Sequence, residues 1–159
     1  MKSLLIGLAF LLVSILSCKS KPAFDYSESV VSIERSLGPA LISSQKKIIE
    51  SFQENRMDTI LAVSRRVVGI IDGKIEEIKS LKLPDVKEGE NFRSATLRHF
   101  TNLRNAYAGY GQIAMQPTDE AKEAERQKVL RIEQEGRISL GEMQRAQRKY
   151  AEANGFKVK

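Results

Sequence analysis

The chain has few residues of the kinds that build small metal and redox sites. Its 159 residues include one cysteine, one histidine and no tryptophan. One cysteine excludes an internal disulfide framework and any multi-cysteine zinc or iron–sulfur site. One histidine excludes a histidine-rich metal site. The sequence also has no Gly-x-Gly-x-x-Gly or Walker-type phosphate loop. We therefore predict no cofactor and no resident metal.

The same scarcity leaves no recognisable catalytic constellation. Nucleophilic catalysis assisted by histidine would have to use His99, which adjoins Phe100 and an apolar seam. We interpret His99 as a packing or hydrogen-bonding histidine. The carboxylate pairs at 76–77 and 119–120 fit solvated helix faces or helix-dipole effects. No Glu-x-x-His spacing occurs, so a di-iron bundle site is excluded. We predict that the protein is not an enzyme.

The N-terminus combines a charged start, an apolar run and the only cysteine. Lys2 precedes a charge-free apolar run of 13 residues from Leu4 to Leu16. A bilayer-spanning helix needs about 20 residues, so this run is too short to span. It has the length and flanks of the apolar region of a signal peptide. Cys18 follows at once, and the whole segment reads MKSLLIGLAFLLVSILSC.

The end of this segment resembles a bacterial lipobox. Ile15 lies three positions before Cys18 and the small residue Ser17 directly before it, while Leu16 is bulkier than usual, as in the relaxed lipoboxes of spirochaetes. The resemblance implies cleavage after Ser17 and lipidation of Cys18, palmitate included, with a non-lipid signal peptide and an incidental cysteine as the alternative. Lys19, in place of an aspartate, favours the outer membrane. We therefore divide the chain into a lipoprotein signal peptide (1–17), a lipidated cysteine with its tether (18–25) and a folded domain (26–159).

The folded domain has the apolar periodicity of α-helices throughout. Apolar residues recur every three or four positions from residue 27 onward, and no long stretch alternates with period two. The connections are short, which makes neighbouring helices antiparallel. We predict an all-α, antiparallel up-and-down four-helix bundle, with helices at about 26–53, 56–82, 91–115 and 118–153.

Local signals predict how these helices begin, end and bend. Asn55 and Thr118 are the expected N-caps of the second and fourth helices. The pair at 154–155, Asn-Gly, is the expected end of the fourth. Pro39 follows a glycine inside the first helix, so we expect a kink or a break there.

The positive charge is unevenly distributed. The chain carries a formal charge of +6, the predicted third helix has no acid between residues 91 and 116, and residues 136–159 have a net charge of +4. Basic residues late in a helix can simply stabilise the helix dipole. The functional alternative is a basic end that binds polyanions or an acidic partner. Its candidate residues are Arg93, Arg98, Arg145, Arg148 and Lys149. Nucleic acid is not an expected partner of an exported chain.

Two tyrosines alternate with two glycines in the segment AYAGYGQ at 106–112. Glycine there allows close helix packing, and the tyrosine rings fit the core with their hydroxyls at its edge. A ligand pocket is the alternative interpretation.

The lipobox leader, the single cysteine and the basic helical body resemble the ErpY-like surface lipoproteins of Leptospira. The residues that carry the resemblance are the leader and, more weakly, the passage LPDVKEGENFRSATLRHF at 83–100. The resemblance implies a lipid anchor at Cys18 in the outer membrane and exposure at the cell surface. It also implies adhesion to host components such as plasma, complement or matrix proteins. The basic surface adds sulfated glycans as accessible partners. A structural or assembly lipoprotein that faces the periplasm is the alternative function.

Overall fold

Four α-helices make up nearly all of the described chain. The computed structural model describes the backbone of residues 17–158 and the side chains of residues 21–158. The predicted signal peptide up to residue 16 and the Cys18 side chain lie outside the described residues. The helices are α1 (Ser17–Gln53), α2 (Met57–Ser80), α3 (Gly89–Met115) and α4 (Asp119–Ala153). No strand occurs in residues 17–158, so the all-α prediction is confirmed.

The helices form an antiparallel bundle in which consecutive helices are neighbours. α1 packs on α2, α2 on α3 and α3 on α4, whereas α1 meets α4 only slightly. At one end of the bundle, Phe92 at the start of α3 stacks on Tyr150 near the end of α4. Farther along the same pair, Gly109 of α3 lies against Val129 of α4. The up-and-down topology predicted from the short connections is confirmed.

The core has two parts. The larger part joins α1, α2 and α3, and its buried residues are Leu37, Ile48, Val63, Val67, Ile71, Ile75, Ile78, Phe100 and Tyr107. The second part closes the end of the bundle where α1 begins and α4 ends. Its buried residues are Ala23, Tyr26, Val30, Phe92, Ala95, Met143, Ala146 and Tyr150.

α1 begins earlier than the sequence analysis predicted. The segment 18–25, expected to be an irregular tether, is helical from Ser17 onward. Ala23 is fully buried and Tyr26 packs its ring against Phe92 and Tyr150. These contacts hold the segment as helix despite Pro22, because burial of apolar surface against two other helices outweighs a locally poor helix former.

Pro39 does not break α1. The helix is continuous from Ser17 to Gln53 with Pro39 inside it, so the expected break is absent. Pro39 is exposed, while Leu37 before it and Ile48 after it are both buried in the core. Because both flanks are packed, the helix tolerates the missing backbone donor at residue 39.

The helix ends follow the sequence signals with one correction. Asn55 is not the N-cap of α2, because it has a positive φ of 54° and the N-cap is Arg56. Asn55 instead ends α1 in a Schellman arrangement, in which the Arg56 N–H donates to the Ser51 carbonyl at 2.8 Å. Thr118 caps α4 by accepting from the Ala121 N–H at 3.2 Å, and Gly155 ends α4 with a φ of 76°, both as predicted.

Candidate functional site

The five predicted basic residues do not point to one place. Arg145, Arg148 and Lys149 are exposed on α4. Arg93 is only partly exposed and donates to the Lys79 carbonyl at the end of α2. Their directions differ because Arg93 lies on the side of α3 that packs against α2.

Arg98 takes the opposite direction from Arg93. Its guanidinium pairs with the Glu142 carboxylate of α4 at 3.3 Å. Glu142 is therefore an acid that lies beside the predicted basic surface and is already occupied by Arg98. The freely exposed part of the predicted surface reduces to the three cations of α4.

The structure adds residues that the sequence analysis missed. We call the exposed side of α4 that faces away from the other helices the outer strip. It contains two aliphatic side chains, Leu130 at 54% exposure and Ile138 at 56%. Its polar members, all exposed, are Arg131, Gln134, Arg137, Arg145, Arg148 and Lys149. The exposed acid Glu135 lies at the edge of the strip, about 100° around the helix from Gln134.

A helical projection of the sequence could have found this strip. Residues 130, 134, 137, 138, 141, 145 and 148 recur at intervals of three or four and thus share one face of a helix. The net charge of a whole segment does not reveal the strip, because it adds residues of the strip to residues that face the core and α3.

His99 is a packing residue at the interface of α3 and α4, as expected. Its Nδ1 lies 3.4 Å from the Ser139 hydroxyl, which itself donates to the Gly136 carbonyl at 2.9 Å. The ring meets Phe100 edge-on. Burial lowers the pKa of His99, and a backbone hydrogen bond at Gly136 partly opposes that shift. Ser139 is only 2% exposed and donates its hydroxyl proton to Gly136, so the Ser139–His99 pair is enclosed between α3 and α4.

The glycines of α3 serve helix packing. A Cβ at Gly109 would lie 2.5 Å from Cγ2 of Val129, so only glycine fits against α4 at this level. The Tyr107 hydroxyl donates to the Leu41 carbonyl of α1 at 3.3 Å. These contacts confirm the close-packing interpretation for Tyr107 and Gly109, whereas Ala108, Gly111 and Gln112 of the same segment line a cavity between α2 and α3.

Tyr110 links α3 to both α1 and α4. Its hydroxyl donates to the Glu133 carboxylate of α4, and its ring meets Phe52 of α1 edge-on. Burial, followed by the bonded carboxylate, strongly raises the pKa of Tyr110. The phenol therefore stays protonated at neutral pH and acts as a hydrogen-bond donor between helices.

Cavities on the surface of the described bundle include three between or beside its helices. One of about 210 Å³ lies between α2 and α3 beside Leu61 and Met115. One of about 580 Å³ lies between α1 and α4 and is lined in part by Glu34 and Gln147, and burial raises the pKa of the Glu34 carboxyl. A third, of about 600 Å³, adjoins the loop after α2. None of the three is lined by a nucleophile paired with a base.

The described side chains form no metal-binding group. Nowhere in residues 21–158 do three His, Cys, Asp or Glu side chains come together in a way that could hold a metal ion. Within the described helices, no segment is both long and apolar enough to cross a membrane.

Comparison with known proteins gives no relative. No family model, no curated protein and no solved structure matches this chain.

Proposed function

We propose that the protein is a non-enzymatic lipoprotein of the bacterial outer membrane that faces the outside and binds anionic extracellular macromolecules. The observation that carries the proposal is the outer strip of α4, which presents five exposed cations between residues 131 and 149, with Glu135 as the exposed acid at its edge. Such a row of cations attracts polyanions over a distance of about one Debye length and excludes cationic partners.

The anchor in this proposal is Cys18, on the strength of the lipobox. α1 begins at Ser17, so helix follows directly after the cysteine. Ala23, five residues after Cys18, is already buried in the terminal core. A lipid on Cys18 would thus be joined to the bundle by about one and a half helical turns rather than by a flexible chain, and would hold the domain close to the membrane surface.

The class of partner follows from the charge and shape of the strip. Its cations lie in a row along one helix rather than around a concave pocket. A linear polyanion such as a sulfated glycan can contact successive cations along such a row, as can an acidic segment of a host plasma, complement or matrix protein. Guanidinium groups suit sulfate and carboxylate because they present donors in a planar fork.

Heparin, as a sulfated-glycan probe, tests the proposed surface. The triple variant Arg145→Glu/Arg148→Glu/Lys149→Glu should lose heparin binding, since three attractive charges become repulsive. A matched control, Lys46→Glu/Lys47→Glu/Lys82→Glu, changes the net charge equally at exposed sites on α1 and the loop after α2 and should keep most of the binding. Equal losses in both variants, or binding insensitive to salt, would contradict a specific role of the strip.

Two further measurements test the anchor and its orientation. Cys18→Ala should abolish acyl labelling and release the protein from the detergent phase. Protease treatment of intact cells should remove the domain if it faces outward. Protection of the domain from protease would instead support the periplasm-facing structural or assembly role.

A further inference from the structure

We propose that the outer strip of α4 also binds a second copy of the same chain, with the two α4 helices antiparallel and the twofold axis beside Gln134. The proposal rests on the charge pattern of the strip and on its exposed aliphatic residues. It does not depend on the proposed lipid anchor.

The first step is that the outer strip continues into the first half of α4 with the opposite charge. Glu120, Glu123 and Gln127 follow the same three-and-four spacing toward the start of the helix and are exposed. Asp119 is exposed too, with its side chain 93% accessible. One face of a single helix therefore has an acidic first half, a middle with Leu130 and Ile138, and a basic second half.

The second step is the symmetry of this pattern about Gln134. Consider two α4 helices that run antiparallel with the twofold axis at Gln134. A residue that precedes Gln134 by some number of positions then lies level with the residue of the other copy that follows Gln134 by the same number. Leu130 thus lies at the level of Ile138 of the partner subunit. Both side chains are more than half exposed in one copy, and the pair would remove them from water.

The third step is that the same register pairs opposite charges. Glu123 lies at the level of Arg145 of the partner subunit, and the acids at 119–120 lie at the level of the partner's Arg148 and the partner's Lys149. Because of the twofold axis, each of these charge pairs occurs twice in the dimer. A parallel arrangement would set Arg145 against Arg145 of the partner subunit, so the charge pattern selects the antiparallel one.

Existing ion pairs do not prevent this pairing. Asp119 contacts Lys122 at 3.0 Å and Glu123 contacts Arg126 at 3.2 Å, in both cases within one turn of α4. The carboxylates of both pairs are more than half exposed, and ion pairs whose acid faces water contribute little and exchange readily. Arg131 and Arg137 lie about 120° apart around the helix, so they do not meet across the axis.

The size of the surface indicates a reversible dimer. The strip from Asp119 to Lys149 is about 45 Å long at 1.5 Å per residue. An interface of one helix from each copy lies at the small end of specific interfaces. Gly141, near the level of Gln127 of the partner subunit, leaves room for the helices to approach closely.

Cysteine cross-linking of the full-length chain tests the register. Gln134→Cys should form a disulfide-linked dimer under mild oxidation, because the two sulfurs flank the axis and a disulfide needs Cα atoms within about 7 Å. Gln127→Cys is the matched control, since it lies on the same strip but about 21 Å from its symmetry mate. We expect a several-fold excess of dimer for Gln134→Cys on a non-reducing gel, with the unaltered chain as a control for Cys18. Equal yields at the two positions would overturn the proposal.

Charge reversal in the Gln134→Cys background tests the pairing itself. Glu123→Arg alone and Arg145→Glu alone should each lower the yield of cross-linked dimer, because each places like charges at two symmetric positions. The double reversal should restore the yield, since opposite charges face each other again. An acidic partner protein on the strip would not give this rescue, so a double variant as weak as Arg145→Glu alone would also overturn the proposal.

Discussion

Gly109 shows how one missing methyl group sets the distance between two helices. Its hydrogen faces Val129, a β-branched residue that is 3% exposed and has little freedom to move aside. Close packing of α3 and α4 at this level brings the Tyr110 hydroxyl within reach of Glu133. The glycine is thus a structural requirement of the bundle and not a sign of a ligand pocket.

We predict that Gly109→Ala destabilises the bundle. Overpacking costs about 1–3 kcal/mol, and the better helix propensity of alanine returns about 1 kcal/mol, so the free energy of unfolding should fall by up to about 2 kcal/mol. Gly73→Ala is the control, because nothing lies within 4 Å of its added Cβ, and it should stabilise. Denaturant unfolding followed by circular dichroism measures both. Adding Val129→Ala should reduce the cost of Gly109→Ala, and strictly additive effects would contradict the steric explanation.

The second prediction at this scale concerns pH and His99. Burial lowers the pKa of this histidine below its usual 6.5 in the folded state. The unfolded chain therefore binds the proton first as the pH falls, so the free energy of unfolding should decrease from about pH 6.5 downward. Comparison with His99→Gln isolates this effect from the titration of carboxylates. If unfolding of the two chains shows the same pH dependence between about 7.5 and 5, the histidine is not protected as the structure indicates.

At the scale of elements, helix propensity and packing disagree most clearly in α1. The sequence predicted its later part correctly from the apolar spacing, but it placed the beginning in a tether and expected a break at Pro39. Both errors have one physical cause. Sequence rules for helix ends depend on local features such as a proline. The helix, however, is stabilised by contacts with residues far away in sequence, such as those of Tyr26 with Phe92 and Tyr150.

We predict that Pro39→Ala stabilises the protein. The substitution restores an N–H that can donate to the Arg35 carbonyl and removes the clash of the ring with that turn, which together cost about 3 kcal/mol in a helix interior. Pro39 is exposed, so no core contact is lost. The midpoint of denaturant unfolding should rise. Pro84→Ala, in the loop between α2 and α3, is the control and should be neutral or slightly destabilising. An unchanged midpoint for Pro39→Ala would mean that α1 is already relaxed around the proline.

The basic surface was predictable in part. Arg145, Arg148 and Lys149 are exposed as their place on α4 suggests, because the apolar seam of that helix is unambiguous. The sequence did not predict that Arg93 and Arg98 point in different directions. Both belong to an acid-free stretch of α3, but the sides of that stretch face two different helices. A sequence shows that a stretch lacks acids, but the neighbouring helices decide that Arg98 meets Glu142.

At the scale of the whole molecule, the bundle is closed at one end and more open at the other. α1 and α4 share the terminal core around Tyr150, but they have few contacts beyond it. Val129 is the only buried residue in the first half of α4, up to residue 135. α4 thus presents a long outer face that no other helix of the described chain covers. Both proposed interactions, with an anionic partner and with a second copy, use this face.

Because the anionic partner and the second copy would use the same outer strip, their binding equilibria must be coupled by mass action. A ligand that binds only the uncovered strip draws the population toward the single copy. We predict that a short heparin oligosaccharide lowers the yield of the Gln134→Cys disulfide dimer in a concentration-dependent way. A neutral oligosaccharide of equal length is the control and should have no effect. The oligosaccharide must be short, since a long chain could gather several copies and raise their local concentration. A dimer yield that stays constant at saturating heparin would show that sulfated glycans bind elsewhere than over Arg145, Arg148 and Lys149, while leaving the antiparallel register to stand on its own cross-linking result.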